Sequence, residues 1–259
     1  MKKGRFRYIV LIVILAIYAG VMYVSFGVTE TKEREASATL IVGNTAAFDY
    51  MSRNWTYYST PSMFSKLNWK TFKTYVDDEY FGNYLMWYDD QWYLFDKDRN
   101  PINYSGKLFA YDADYDMNII PFDSEDITDF TYPKQVLEQY GLDSNSQYTL
   151  ATVSTLDFDK DGEEEEFYVI SNVFAMDFFP DTYFSFVFMV DDNKISILYE
   201  DVDKNDGVNG CKPELYTVGD FDNDSDNELI VSCAKYSNQT PVAMLYEYED
   251  NAFKIVISN

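Results

Sequence analysis

Twice in this chain a run of alternating aspartates leads straight into an apolar strand: DFDKDGEEEEFYV from Asp157 to Val169, and DFDNDSDNELIV from Asp220 to Val231. In register, Asp157, Asp159, Asp161 and Glu165 match Asp220, Asp222, Asp224 and Glu228. Aspartates favour turns, but a turn does not need four carboxylates at fixed spacing, and like charges held this close repel. Calcium gives the pattern a reason. The ion takes roughly six to eight oxygens at about 2.3–2.6 Å, and carboxylates at positions one, three, five and nine with a main-chain carbonyl at seven wrap it from one loop. Glu163 and Asp226 stand at position seven. Position six needs a sharp turn, supplied by Gly162 in the first copy and left to Ser225 in the second.

An EF-hand would carry a glutamate at position twelve, where this chain has Tyr168 and Val231, and no helix is expected on either side. Both segments instead resemble the aspartate-rich calcium loops of FG-GAP and VCBS-type β repeats, the blades of integrin α propellers and of many bacterial surface proteins. The pattern Asp-x-Asp-x-Asp-Gly-x-x-Asp before an apolar strand is matched by Asp157 to Glu165 and by Asp220 to Glu228. Departures are glutamate at position nine, Ser225 for glycine, and Glu166 at the entry to the first exit strand; the FG-GAP tripeptides are absent. The resemblance implies two structural calcium ions, with Asp157, Asp159, Asp161, Glu163 and Glu165 around one and Asp220, Asp222, Asp224, Asp226 and Glu228 around the other.

Strand-like runs follow one another from Tyr148 to Ile257, interrupted by acidic turns such as Met189 to Ile195 and Tyr248 to Phe253. They form a repeat of about 60 residues, and two copies are too few to close a propeller. Upstream, Thr60-Pro61 is a helix start signal, and Phe64, Leu67, Phe72, Tyr75 and Val76 recur at helical spacing, so 40–78 is expected to be helical. A hairpin is expected at 84–96, and a short helix at 132–141 between Pro133 and Gly141. The expected fold class is α+β, mainly β: an N-terminal transmembrane helix, a mixed helix and hairpin region next to the membrane, and a C-terminal antiparallel β region of two blade-like repeats.

The transmembrane expectation comes from Tyr8 to Val28, an apolar run long enough to cross a hydrocarbon core of about 30 Å once. Lys2, Lys3, Arg5 and Arg7 precede it without an acid, which places the N-terminus in the cytoplasm and the remainder outside. The run is too long, and too far from Ala36-Ser37-Ala38, for a cleaved signal peptide, and no nearby cysteine could carry a lipid. The expected organisation is 1–7 cytoplasmic, 8–28 anchor, 29–37 stalk, 38–145 an aromatic-rich α/β region, and 146–259 a calcium-binding β region. Beyond the anchor 16 basic residues face 44 acids. That field repels nucleic acid and attracts divalent cations.

The chain has no histidine, which removes histidine-dependent triads and most zinc chemistry. Cys211 and Cys233 flank the second acidic loop. Outside the cytoplasm they are placed for a disulfide across that hairpin, or else they are two buried thiols. Weaker aspartate triplets at Asp96-x-Asp98-x-Asn100, Asp112-x-Asp114-x-Asp116 and Asp201-x-Asp203-x-Asn205 read as turns. Trp55, Trp69, Trp87 and Trp92 read as core rather than as a sugar platform. No pair of acids stands out as catalytic. The function expected is a membrane-anchored, extracytoplasmic calcium-binding module that binds a protein or glycan at the cell surface, not an enzyme. The alternatives are a carboxylate-based hydrolase and an accessory subunit of a membrane complex.

Overall fold

The computed structural model describes residues 38–43, 46–173, 182–203, 210–235, 241–249 and 252–258. Its first strands are β1 (Ala38–Val42), β2 (Ala46–Met51) and β3 (Asn54–Tyr57), followed by the single-turn helix α1 (Pro61–Phe64) and a 3-10 turn, Ser65–Leu67. Strands β4 (Thr71–Val76), β5 (Glu79–Asp89), β6 (Gln91–Phe95), β7 (Pro101–Ile102) and β8 (Leu108–Asp112) complete an eight-stranded antiparallel sheet, ordered β3-β2-β1-β8-β4-β5-β6-β7.

Two short strands, β9 (Asn118–Ile120) and β10 (Ser124–Asp126), then diverge to different sheets before helix α2 (Thr131–Gln139). The remaining strands form two antiparallel meanders. The first is β11 (Leu150–Leu156), β12 (Glu165–Ser171), β13 (Tyr183–Asp191) and β14 (Lys194–Asp203), extended by β10 beside β11. The second is β15 (Cys211–Asp220), β16 (Glu228–Lys235), β17 (Pro241–Glu249) and β18 (Ala252–Ser258), extended by β9 beside β15.

Strands with near-continuous apolar runs need cover on both faces, and this requirement sets the layers. On β12 and β13, Phe167, Val169, Val187 and Met189 face the second meander, meeting Leu229, Val231, Met244 and Tyr246. The alternate residues, Tyr168, Ile170, Phe186 and Phe188, pack with Val136 and Leu137 of α2. The other face of the second meander, with Tyr216, Ile230 and Leu245, packs on Leu40, Phe48, Phe109 and Tyr111 of the eight-stranded sheet. That sheet's far face is covered by Phe64 and Leu67. Residues from Ala38 onward thus cluster as one unit, three sheets deep with a short helix at each outer face.

This corrects the α+β expectation, because strands dominate and the two helices among the described residues are short. Of the helix expected over 40–78, only the turn begun at Pro61 and its 3-10 continuation form, and strands take the rest of the described stretch. Trp69 has a φ of 66°, which ends helical propagation, and Phe72 and Thr74 are buried at a period of two on β4. Aromatic and β-branched residues in this stretch also favour a pleated surface. The transmembrane helix expected at 8–28 and the stalk at 29–37 lie outside the described residues. Among those residues no helix is long and apolar enough to cross a membrane.

Cys211 and Cys233 are joined, with Cα atoms 5.6 Å apart and both residues buried between the two meanders. The bond spans β15 and β16, where Cys233 sits opposite Pro213 and Cys211 opposite Lys235. It closes a loop of 22 residues in sequence separation that contains the second acidic segment. Such closure stabilises by about 3 kcal/mol in the chain-entropy account.

Candidate metal centre

Each acidic segment joins the first two strands of a meander, β11 to β12 and β15 to β16, so the same local pairing closes both. Leu156 pairs with Glu165, and Gly219 with Glu228, which brings position nine back to the start of the loop. The backbones between follow one course. Position four is left-handed in both, Lys160 at φ 64° and Asn223 at φ 64°, and so is position six, Gly162 at φ 95° and Ser225 at φ 84°.

Internal hydrogen bonds repeat as well. Asp159 Oδ1 accepts from the Asp161 N–H at 3.1 Å, and Asp222 Oδ1 from Asp224 N–H at 3.2 Å. Asp161 Oδ1 accepts from Glu163 N–H at 2.8 Å, and Asp224 Oδ1 from Asp226 N–H at 2.9 Å. Ser225 holds a conformation that suits glycine, and a residue with a Cβ is strained there by about 1 kcal/mol. The variant Ser225→Gly should therefore raise stability by about that amount. Urea denaturation checks it: an unmoved or lower midpoint would mean that the serine side chain offsets the strain.

Among the described residues, two groups of three acids have carboxylate oxygens all within 4.8 Å of one another: Asp157, Asp159 and Glu165, and Asp220, Asp222 and Glu228. Asp161 and Asp224, expected as ligands, are exposed and lie outside these groups, each engaged with the position-seven N–H. The side chains of Glu163 and Asp226 are exposed, as a carbonyl-only role would allow. The weaker triplet at Asp96 lies outside these groups. Asp96 is a turn cap, accepting from the N–H groups of Asp98 and Asn100 and from the Asn100 amide, and these bonds hold its carboxyl below the usual range.

The position-nine glutamates are the unusual members. Both are 2% exposed, and each directs one oxygen back to the N–H of position two: Glu165 Oε2 to Phe158 at 2.6 Å, and Glu228 Oε2 to Phe221 at 2.5 Å. Burial, followed by the charges of Asp222, Asp224 and Asp220, pushes Glu228 up to about 9 despite that hydrogen bond. Burial also raises Glu165, with Asp159 adding to it, and Asp222, with Asp224 adding. One carboxylate oxygen, Asp157 Oδ1, is buried without a hydrogen-bond partner. Carboxylates that repel one another, a buried orphan oxygen and a donor set without nitrogen or sulfur fit a hard dication such as calcium.

Position two couples each loop to a core. Phe158 packs against Phe167 of its own meander and against Tyr248 and Phe253 of the second, with ring centroids 5.4, 5.7 and 5.6 Å away. Phe221 packs 5.9 Å from Phe109 of the eight-stranded sheet. The D-F-D repeat shows this phenylalanine twice, but nothing local says what it meets. Tyr50, also unforeseen, hydrogen-bonds Asp222, and the Asn223 amide reaches the Asp116 carbonyl at 2.7 Å. Glu166, without a counterpart in the second copy, accepts from the Tyr168 hydroxyl at 2.8 Å on the face toward α2.

A cleft of about 980 Å³ lies elsewhere, and Lys107 sits within it. Its ammonium pairs with Asp78 at 2.8 Å and Glu214 at 3.7 Å and lies over the rings of Phe122 and Tyr216. Those two acids share a counter-ion already provided by the chain. Comparison with protein-family models, with curated proteins and with solved structures gives no match.

Proposed function

We propose that this chain is a calcium-stabilised β module working outside the cytoplasm, with two structural ions held by loops of the FG-GAP and VCBS type. The observation that carries the reading is the duplicated loop: three converging carboxylates, matching left-handed residues and a buried glutamate, twice over. In each loop the glutamate would bind the ion through one oxygen while the other holds the N–H of a core phenylalanine. The ion then neutralises the acids and fixes the point where one layer meets the next. A buried disulfide agrees with an oxidising compartment, where calcium is also plentiful. In that setting the module would present its surface to a protein or glycan partner.

The carboxylate hydrolase has less support, since in the cleft of about 980 Å³ Asp78 and Glu214 are bridged by Lys107. Isothermal titration of the full chain with calcium chloride tests the proposal. Two ions per chain are expected, and one should be lost on each of the substitutions Asp157→Asn and Asp222→Asn. The absence of saturable binding at millimolar calcium would sink it.

A further inference from the structure

We propose that the two loops act as one two-ion unit, in which calcium at either loop raises the affinity of the other. The inference rests on the calcium reading above and concerns how the two sites are filled.

The loops touch, through two reciprocal hydrogen bonds. The Lys160 ammonium of the first donates to the Ser225 carbonyl of the second, and the Asn227 amide of the second donates to the Phe158 carbonyl of the first. Between them lies a cavity of about 90 Å³ lined by Phe158, Asp159, Lys160, Ser225, Asp226 and Asn227. Asn227 is 4% exposed, and its Oδ1 is buried without a partner, as is Asp157 Oδ1 in the first loop. The register is asymmetric: position eight is the buried Asn227 in one loop and the exposed Glu164 in the other.

These contacts join residues that an ion would order. Phe158 lies between the proposed ligands Asp157 and Asp159, so an ion in the first loop fixes its carbonyl. That carbonyl holds Asn227, the neighbour of Glu228. The same ion orders Lys160, which holds the carbonyl of Ser225, next to Asp226 at position seven. Once one loop is ordered, less conformational freedom remains to be lost at the other, and the affinities rise together. Repulsion between the ions opposes this, but six carboxylates surround the pair and salt screens the rest.

Calcium titration of the full chain, in physiological salt, tests the idea. A Hill coefficient above one is expected for the wild type. Coupling is reciprocal, so silencing the first loop with Glu165→Gln should weaken calcium binding at the second, and Glu228→Gln should weaken it at the first, by the same factor of about ten. Lys160→Met, at an exposed position, and Asn227→Ala should each still bind two ions, with a Hill coefficient falling toward one. Two independent sites in the wild type would overturn the coupling and leave the calcium reading intact. Cooperativity that survives in the Lys160→Met, Asn227→Ala double variant would overturn it too. No calcium binding at all would overturn both.

Discussion

In a chelator, the full chain should melt about 10–20 °C lower than in saturating calcium, with the gap widening as pH rises from about 5 to 9. The first part follows from mass action: each site at a hundredfold excess over its dissociation constant contributes about 2.7 kcal/mol, so two contribute about 5. For a domain of this size each kcal/mol moves the melting temperature by about 2–4 °C. The second part follows from Glu228, whose carboxyl is pushed up to about 9 in the ion-free fold against an ordinary value of 4.5. A group raised on folding binds its proton more tightly in the native state, so its stabilisation is complete below pH 4.5 and is lost as pH climbs through 9. Glu165 and Asp222 are raised too and act in the same sense. Calcium requires these acids ionised and removes their slope. Differential scanning calorimetry at several pH values, with and without chelator, reads both effects. Equal melting temperatures in chelator and calcium would overturn the metal reading, and a gap that does not change with pH would remove Glu228 from the site.

The acidic groups could be read from the sequence because a hairpin connection is local: nine residues set their own backbone course, and both copies carry the same signals. Position five differs from the others: Asp161 and Asp224, expected as ligands, lie outside the two converging groups, and each accepts the N–H two residues on, a bond an aspartate also makes in any tight turn. The strands after residue 148 could be read because their apolar runs are bounded by aspartate and asparagine turns. Residues 40–78 misled for a physical reason. Phe64, Leu67, Phe72 and Tyr75 are spaced for a helix face, yet they divide between α1 with its 3-10 turn and a strand, with Trp69 turning the chain between them. What no window of sequence contains is which sheet lies on which. Contacts such as Tyr50 with Asp222 and Asn223 with Asp116 join residues more than a hundred positions apart, and they decide that the second loop is pressed against the eight-stranded sheet.

That contact makes the phenylalanine at position two the most sensitive point of the second loop. Phe221 is fully buried, its ring lies among Phe109, Tyr115 and Ile230, and its N–H is held by Glu228. Phe221→Ala should cost about 3–5 kcal/mol, the transfer of a whole ring plus the cavity it leaves, because two sheets meet there and neither can close the gap alone. Tyr80→Ala, at a position 59% exposed, should stay within about 0.5 kcal/mol and serves as the control. Urea denaturation in saturating calcium measures both. If Phe221→Ala costs under about 1 kcal/mol, the phenylalanine is not an anchor between layers. An ion in the second loop would then order a surface hairpin and nothing more.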